Sequence, residues 1–444
     1  MRIVVKGNSN IIRLLGKQHI KDTKYRLMNY LLFENCKDGI LIHNVITGQL
    51  ALLNQKEATA LHHLPDVDSE VLRDLIEGYF LVPEDYDEKD TVDKLRVLLK
   101  SIFRSKGINN YLILTTTNCN ARCFYCFENG MRHVNMDSST AEQVIDFITT
   151  HNNGKTVNLH WFGGEPLLYS NRIDQICRGL RNQNVVFRSV MTSNGYLFSE
   201  ERANRWVRDW NLQRVQITLD GTEETYNRVK SYVSISGSPY QRVMNNVHHL
   251  LKAGTYVVLR LSLNNRNGDE IKELIDEIYS RFAHYNNLSI YVSRIIDELY
   301  ISGNSCEETA NGYLDNAVRE LNEYIDSLSL HKKQFKLLSL KTNSCMADSD
   351  EATVILPDGM LCKCENVSDE DVYGSIYSKE MNSKRDRYKQ TLVLDRCRHC
   401  PLYPSCIILA DCPSKKHIES YPCQNSIKSK SRELVQYYNH FCSN

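Results

Sequence analysis

Three cysteines, Cys119, Cys123 and Cys126, stand together in the segment TTTNCNARCFYCFE. Their spacing is Cys-x3-Cys-x2-Cys, directly after the apolar run 111–114. Three thiolates on one short loop cannot complete the four-thiolate shell of an ordinary iron–sulfur cluster. One iron of a [4Fe–4S] cluster held there would stay open to a chelating ligand. A zinc loop, or a group of buried thiols, fits the same three residues. The rest of the chain has to decide between these readings.

The chain has 15 cysteines, and their distribution favours metal over disulfides. Besides the three above, eight fall between Cys345 and Cys423, and only Cys36, Cys177, Cys306 and Cys442 stand alone. A disulfide scaffold would be small and secreted. This chain has 444 residues, enough for two or three domains. Its N-terminus lacks the apolar core of a signal peptide, and no run approaches the ~18 apolar residues of a membrane span. Lys plus Arg equals Asp plus Glu, at 54 each, so no basic excess points to nucleic acid or an anionic membrane. The expectation is a cytoplasmic protein with no nucleic-acid or membrane partner.

Residues 1–85 read as a separate block. Strand signals at 30–34, 39–45 and 49–53, helix signals at 57–64 and 69–78, and a closing strand at 79–82 suit a small winged-helix-like module. An acidic linker at 83–93 and a helical stretch at 92–103 follow, so 86–107 is expected to be a linker helix. From 108 onward strand and helix signals alternate. Strands are predicted at 111–116, 157–162, 185–193, 215–219, 256–263 and 288–292. Helices are predicted at 138–152, 171–181, 199–210, 240–253 and 269–282. Alternating βα units imply a parallel sheet with right-handed crossovers. Six strands make a partial (β/α)6 barrel over 108–310, and chemistry is expected at the C-terminal ends of its strands. Residues 311–344 read as a bridging region with a helix at 311–330. Residues 345–444 form a cysteine-rich block with a terminal helix at 427–438.

The ends of the second, third and fourth predicted strands carry motifs as well. Phe162-Gly163-Gly164-Glu165-Pro166 closes the second, Thr192-Ser193-Asn194-Gly195 the third, and Thr218-Leu219-Asp220-Gly221 the fourth. Each alone reads as a βα turn. Together with Cys-x3-Cys-x2-Cys they resemble the radical S-adenosylmethionine (SAM) superfamily. That resemblance implies that the open iron binds the amino and carboxylate groups of SAM. One electron then cleaves SAM to a 5′-deoxyadenosyl radical. It also implies that Gly163, Gly164 and Glu165 accept from the SAM amino group. Ser193, Asn194, Thr218 and Asp220 would line SAM, with Thr218 standing where the family usually has serine. Arg228 and Arg260 are candidates for the SAM carboxylate, because guanidinium binds carboxylate bidentately. Arg260 ranks first, since it lies on a predicted strand.

The C-terminal block reads Cys345-x13-Gly359-x4-Cys364, then Cys397-x2-Cys400-x5-Cys406-x5-Cys412, then Cys423. A pair of zinc knuckles fits some of these spacings. The whole pattern resembles the SPASM extension of radical SAM enzymes, with five residues instead of three between Cys406 and Cys412. The resemblance implies two auxiliary [4Fe–4S] clusters, hence three in all. Cys397, Cys400, Cys406 and Cys423 would hold the outer one, and Cys345, Cys364 and Cys412 the inner one. Cys362, two residues before Cys364 on a predicted strand, shares its face and is a candidate fourth ligand. Without it the inner cluster has an open iron.

Two activities suit this architecture. Peptide maturases install thioether or carbon–carbon crosslinks in ribosomally made precursors. Sulfatase-maturating enzymes make formylglycine. An N-terminal leader-recognition block favours the first, because such domains take the leader as an added strand. The expected partners are a precursor peptide, bound through its leader, and an electron donor such as flavodoxin or ferredoxin. Glu365, just after Cys364, is the candidate catalytic base.

Overall fold

A computed structural model describes residues 1–16, 24–61, 69–102, 107–130, 132–233, 236–264, 267–295, 308–328, 330, 336–366, 371–412 and 423–442. The chain divides into two compact units. One is Met1–Arg104 with Gln334–Asp348 and Tyr388–Asn444, and the other is Ser105–Lys333 with Ser349–Arg387. Residues 345–444, one block in the sequence reading, therefore fall in both.

The first unit holds strands β1 (Arg2–Val5), β2 (Tyr25–Leu27), β3 (Leu31–Cys36), β4 (Gly39–Asn44), β5 (Leu50–Leu53) and β6 (Leu81–Pro83). An antiparallel sheet runs β1-β5-β4-β3, and β2 pairs with β6. Alternation along the strands gives the sheet two apolar faces. Leu31, Ile42, Ala51 and Leu53 pack against Phe80, Val92 and Leu95 on one side. Leu32, Leu41 and Leu50 pack against Leu434 and Tyr438 of the terminal helix Cys423–Phe441 on the other. Gly39 turns β3 into β4 at φ +144°, where a Cβ would meet the Leu53 carbonyl oxygen at 2.1 Å. Strand β1, the helix Ser9–Leu15 and β2 were not foreseen, being short and weakly periodic. Of the predicted helix 57–64, Gln55–Ala60 is helical, while 62–64 lie outside the described residues.

The acidic stretch expected as a linker opens the helix Glu88–Ile102 instead. Its first-turn Glu88 and Asp90 suit a helix N-terminus, where the backbone dipole favours negative charge. Val92, Leu95 and Leu99 give it a buried stripe. Glu88 itself is buried, paired with Arg26 and accepting from the Asn29 N–H at 2.9 Å.

The second unit is built on β7 (Asn110–Leu114), β8 (Val157–Phe162), β9 (Phe187–Ser193), β10 (Leu212–Leu219), β11 (Tyr256–Leu263) and β12 (Leu288–Arg294). These pair in parallel in the order of the sequence, with helices between them. The fold is α/β, a partial (β/α)6 barrel. Three further strands extend it. β13 (Ala352–Ile355) lies parallel to the free edge of β7, and β14 (Met360–Cys362) and β15 (Gly374–Ser375) add antiparallel to it. The sheet thus has nine strands. A four-residue apolar run such as β13 is too short to read as a strand from its pattern alone.

Both sides of an open parallel sheet are usually covered, so its strands read as continuous apolar runs. Here they alternate. Leu159, Trp161, Met191, Ile217 and Leu259 are buried against helical residues such as Ile176, Trp206 and Val247. Asn158, His160, Thr192, Gln216, Thr218, Arg260 and Tyr291 line the other face and stay partly exposed. That polar face is the interior an incomplete barrel leaves open. Ile217→Ala should cost about 2–5 kcal/mol, as for other truncations in tight cores, because Ile217 is wholly buried between β9 and β11. Denaturant unfolding of the intact chain checks this.

Candidate active site

The cysteine loop 119–126 and the motifs at 162–166, 192–195 and 218–221 emerge where parallel strands of the second unit end. The cysteine loop leaves β7 through a neck at 115–118. Thr117 exchanges backbone and side-chain hydrogen bonds with Val134, and Thr116 Oγ1 donates to Asn135 Oδ1 at 2.6 Å. From the other side the glycine turn after β8 presses on the same neck. The Gly164 N–H donates to the Thr116 carbonyl at 3.1 Å and the Glu165 N–H to that of Asn118 at 2.8 Å. A Cβ on Gly163 would sit 2.1 Å from the Thr116 oxygen, and one on Gly164 2.2 Å from that of Asn118. Gly163 also needs φ +114°, which a side chain disfavours.

Glu165 is completely buried. Its two oxygens accept from Ser193 Oγ at 2.9 and 3.1 Å, from the Asn194 N–H at 2.8 Å and from the Leu167 N–H at 3.1 Å. Burial pushes its pKa up to about 7, against the pull of these donors. The carboxylate therefore ties the end of β8 to the end of β9.

The loop carries its own polar framework. Asn194 Nδ2 reaches Asn120 Oδ1 at 2.7 Å and Cys119 Sγ at 3.8 Å, and the Ala121 N–H points at Cys119 Sγ at 3.4 Å. Asn120 Nδ2 is buried with no acceptor. Burial raises the pKa of all three thiols, Cys119 to about 12, and Glu165 adds to the rise at Cys119. Thiols so placed become thiolates only against a cationic centre. The Ala121 and Asn194 donors at Cys119 Sγ, and the unpartnered Asn120 Nδ2 on the same loop, fit the thiolates and sulfides of a [4Fe–4S] cluster held by Cys119, Cys123 and Cys126. Among the described residues no three His, Cys, Asp or Glu converge as ligands of a single ion. A cube carries one iron per thiolate, so its thiols need not converge on one point.

The sequence reading missed Lys230. It ends the helix Glu223–Lys230, where a lysine reads as a solvated terminus. It is instead buried, 3.1 Å from Asp220 Oδ2 and donating to the Tyr125 hydroxyl at 3.1 Å. Tyr125 in turn donates to Asp220 Oδ1 at 2.6 Å. Burial works against the ammonium, but Asp220, Tyr125 and Cys123 outweigh it and hold its pKa well above the usual range. Its carbonyl also accepts from the Arg122 N–H at 2.8 Å, which fixes the middle of the cysteine loop. Tyr125 thus joins a buried charge pair to the loop. Phe127 stacks on Phe162.

Of the two arginines, Arg228 lies on an exposed helix face, 3.9 Å from Glu224. Arg260 lies on β11 in register with Thr218 and donates to Ser293 Oγ at 3.5 Å.

The superfamily described as "Radical SAM superfamily" matches residues 113–278. Residues 113–278 are a radical SAM domain. The chain is 22% identical over 333 residues to a radical SAM cyclopropyl synthase, TigE, of Paramaledivibacter caminithermalis, covering 66% of each protein. It spans 40%, 54% and 48% of the length of three other curated relatives. Its fold is similar to that of anSMEcpe, solved with AdoMet and a Kp18Cys peptide. The TM-score is 0.56 and the identity 16%, over 73% of this chain and 99% of that one. It is also similar to Streptococcus suis SuiB, with TM-score 0.50 and 13% identity over 86% and 94% of the two chains.

Outside the radical SAM domain, Cys397, Cys400, Cys406 and Cys423 gather within the first unit. After burial, the charges that raise the Cys406 pKa are those of Cys400, Cys397 and Cys423. In the same unit Cys345 feels Cys412. Cys362 and Cys364 belong to the second unit. β14 ends at Cys362, which is wholly buried beside Tyr373, so the shared-face argument does not extend to Cys364. Glu365 lies 3.8 Å from Cys364 Sγ.

Two outcomes are expected here. Lys230→Met should destabilise by about 3–5 kcal/mol, because it strands a buried carboxylate. Lys230→Met with Asp220→Asn should recover much of that loss in thermal unfolding. His160, 3.0 Å from Thr192 Oγ1, has its pKa lowered from 6.5 to about 4, first by burial and then by Arg214. Its folded value lies below the unfolded one, so its contribution is complete above pH 6.5 and drains as pH falls towards 4. His160→Gln should flatten the stability–pH curve over that window.

Proposed function

We propose that this chain is a radical SAM peptide maturase that installs a thioether or carbon–carbon crosslink in a ribosomally made precursor. The observation that carries the reading is the thiol loop braced by Gly163, Gly164 and Glu165 at the mouth of a polar barrel interior. Cys119, Cys123 and Cys126 hold the SAM cluster, leaving one iron for SAM. Carbonyls of the glycine turn accept from the SAM ammonium, and Arg260 takes its carboxylate. Ser193, Asn194, Thr218 and Asp220 shape the wall along it. Bound there, a reduced [4Fe–4S] cluster would supply the one-electron chemistry that cleaves SAM. Cys397, Cys400, Cys406 and Cys423 hold an outer auxiliary cluster, and Cys345, Cys364 and Cys412 an inner one. After one substrate hydrogen atom is abstracted, Glu365 would take the proton, and an auxiliary cluster the electron, released as the crosslink forms. The electron donor is a flavodoxin or ferredoxin.

The N-terminal sheet supports leader recognition. Strand β3 is an edge strand, so its outer backbone groups can pair with an added strand. Beside it lies a groove of about 360 Å³ lined by Leu27, Phe33, Ile40, Leu53, Ala58 and Leu61. Phe33 is 39% exposed, a large apolar side chain without cover. An extended leader paired with β3 would seat an apolar side chain in this groove.

A second reading, an anaerobic sulfatase-maturating enzyme, is favoured by the fold similarity that covers 99% of anSMEcpe. Leader binding separates the two. Phe33→Glu should weaken leader-peptide affinity about tenfold or more, the scale of one lost apolar anchor, and leave deoxyadenosine formation without peptide unchanged. Unchanged affinity would favour the sulfatase reading. Replacing Cys119, Cys123 and Cys126 together with Ala should abolish deoxyadenosine formation. Iron should fall from about twelve to about eight per chain, at four per cluster.

A further inference from the structure

The helix Glu88–Ile102 makes a contact that a linker has no reason to make. Arg96 points at the loop between Cys400 and Cys406. Its Nη2 donates to the carbonyl oxygens of Tyr403 at 2.6 Å, Pro404 at 3.2 Å and Cys406 at 3.2 Å. Its Nε donates to that of Lys341 at 3.2 Å. The guanidinium stacks 4.7 Å over the Tyr403 ring and is 3.6 Å from Asp93, to which the Tyr403 hydroxyl donates at 2.7 Å. One side chain thus collects four carbonyls, three of them from a segment that supplies cysteine ligands. Guanidinium suits this role, because its five donors form a rigid fork.

Tyr403 does not merely touch the N-terminal block. It is 5% exposed and lies in the same apolar core as Leu31, Ile42, Leu53 and Phe80. Tyr30 packs on it at 5.8 Å and donates its hydroxyl to the Arg398 carbonyl at 3.1 Å, just after Cys397. Cys397 packs at the edge of that core. The fourth cysteine of the set, Cys423, is the first residue of the terminal helix whose Leu434 and Tyr438 cover the opposite face of the sheet. The two apolar faces of one small sheet are therefore covered by chain segments that meet at the same four thiols.

We propose that the outer four-cysteine centre is a structural staple of the N-terminal sheet, and that Arg96 is the positioning residue that presents its loop. This rests on the reading that Cys397, Cys400, Cys406 and Cys423 hold a cluster. Metal bound by those thiols closes the cover on both faces at once, in the way that metal binding elsewhere is coupled to folding. The N-terminal block is then not a detachable module, and loss of the outer cluster loosens the surface that takes the leader.

The test uses the full reconstituted chain, with iron counted and amide hydrogen exchange followed segment by segment. Cys400→Ser should lose about four irons. Amides of Leu31–Cys36 and Leu50–Leu53 should then exchange about tenfold faster or more, as expected when a local unit opens. Amides of the parallel strands β8–β11 serve as the internal reference for a folded chain. Arg96→Gln should lose iron and speed the same amides. Arg96→Lys should restore little of either, since one ammonium cannot span four carbonyls. Cluster loss in Cys400→Ser with unchanged exchange in β3 and β5 would overturn the staple. Full iron in both Arg96 variants would overturn the role of Arg96. Full iron in Cys400→Ser would instead sink the outer-cluster reading itself.

Discussion

The backbone of the glycine turn after β8 lies directly against the backbone of the neck that carries the cysteine loop. Gly163 and Gly164 have no room for a Cβ, and the two chains exchange N–H to carbonyl bonds across that contact. Everything downstream depends on this closeness. It sets where Cys119 begins and lets buried Glu165 reach across to Ser193 and Asn194. A buried carboxylate with three protein donors is costly to disturb, so it ties the end of β8 firmly to the end of β9. A ligand gains most from a site already held in place.

Charge is handled with equal economy. Burying three thiols is unfavourable for their ionised form, and the protein surrounds them with N–H donors and one buried ammonium rather than with solvent. Lys230 is tolerated there because Asp220 and Tyr125 complete its environment. The result is a fixed polar frame around the three thiols, the kind of preorganised setting that lowers reorganisation when charge changes.

The first unit solves a different problem. A four-stranded sheet with two apolar faces cannot stand alone in water. One face is closed by the helix of Val92 and Leu95, with Tyr403 inserted, and the other by the terminal helix. Segments far apart in the chain are recruited for this, and they are the segments that carry the C-terminal cysteines. The N-terminal sheet and the loop between Cys397 and Cys406 thereby share one core.

How much of this was legible varies by residue. Cys119, Cys123, Cys126, the glycine turn and the six βα strands were readable because each is a local signal: a spacing, a missing side chain, a period. The sequence by itself also determined that the site lies at strand C-termini, since each motif directly follows an apolar run. Lys230, Arg96 and β13 were not readable. Lys230 and Arg96 look like solvated helix residues, and only folding brings Asp220 to one and the carbonyls of the 403–406 segment to the other. β13 is a strand only because the edge of β7 is there to pair with it. Arg260 ranked above Arg228 in the sequence because it lies on a predicted strand, and the tertiary structure sends Arg228 to an exposed helix face and Arg260 to the barrel interior beside Thr218. Spacing along the chain can specify which groups are near one another locally. Burial, charge partners and sheet edges are properties of distant segments brought together, and only the tertiary structure decides them.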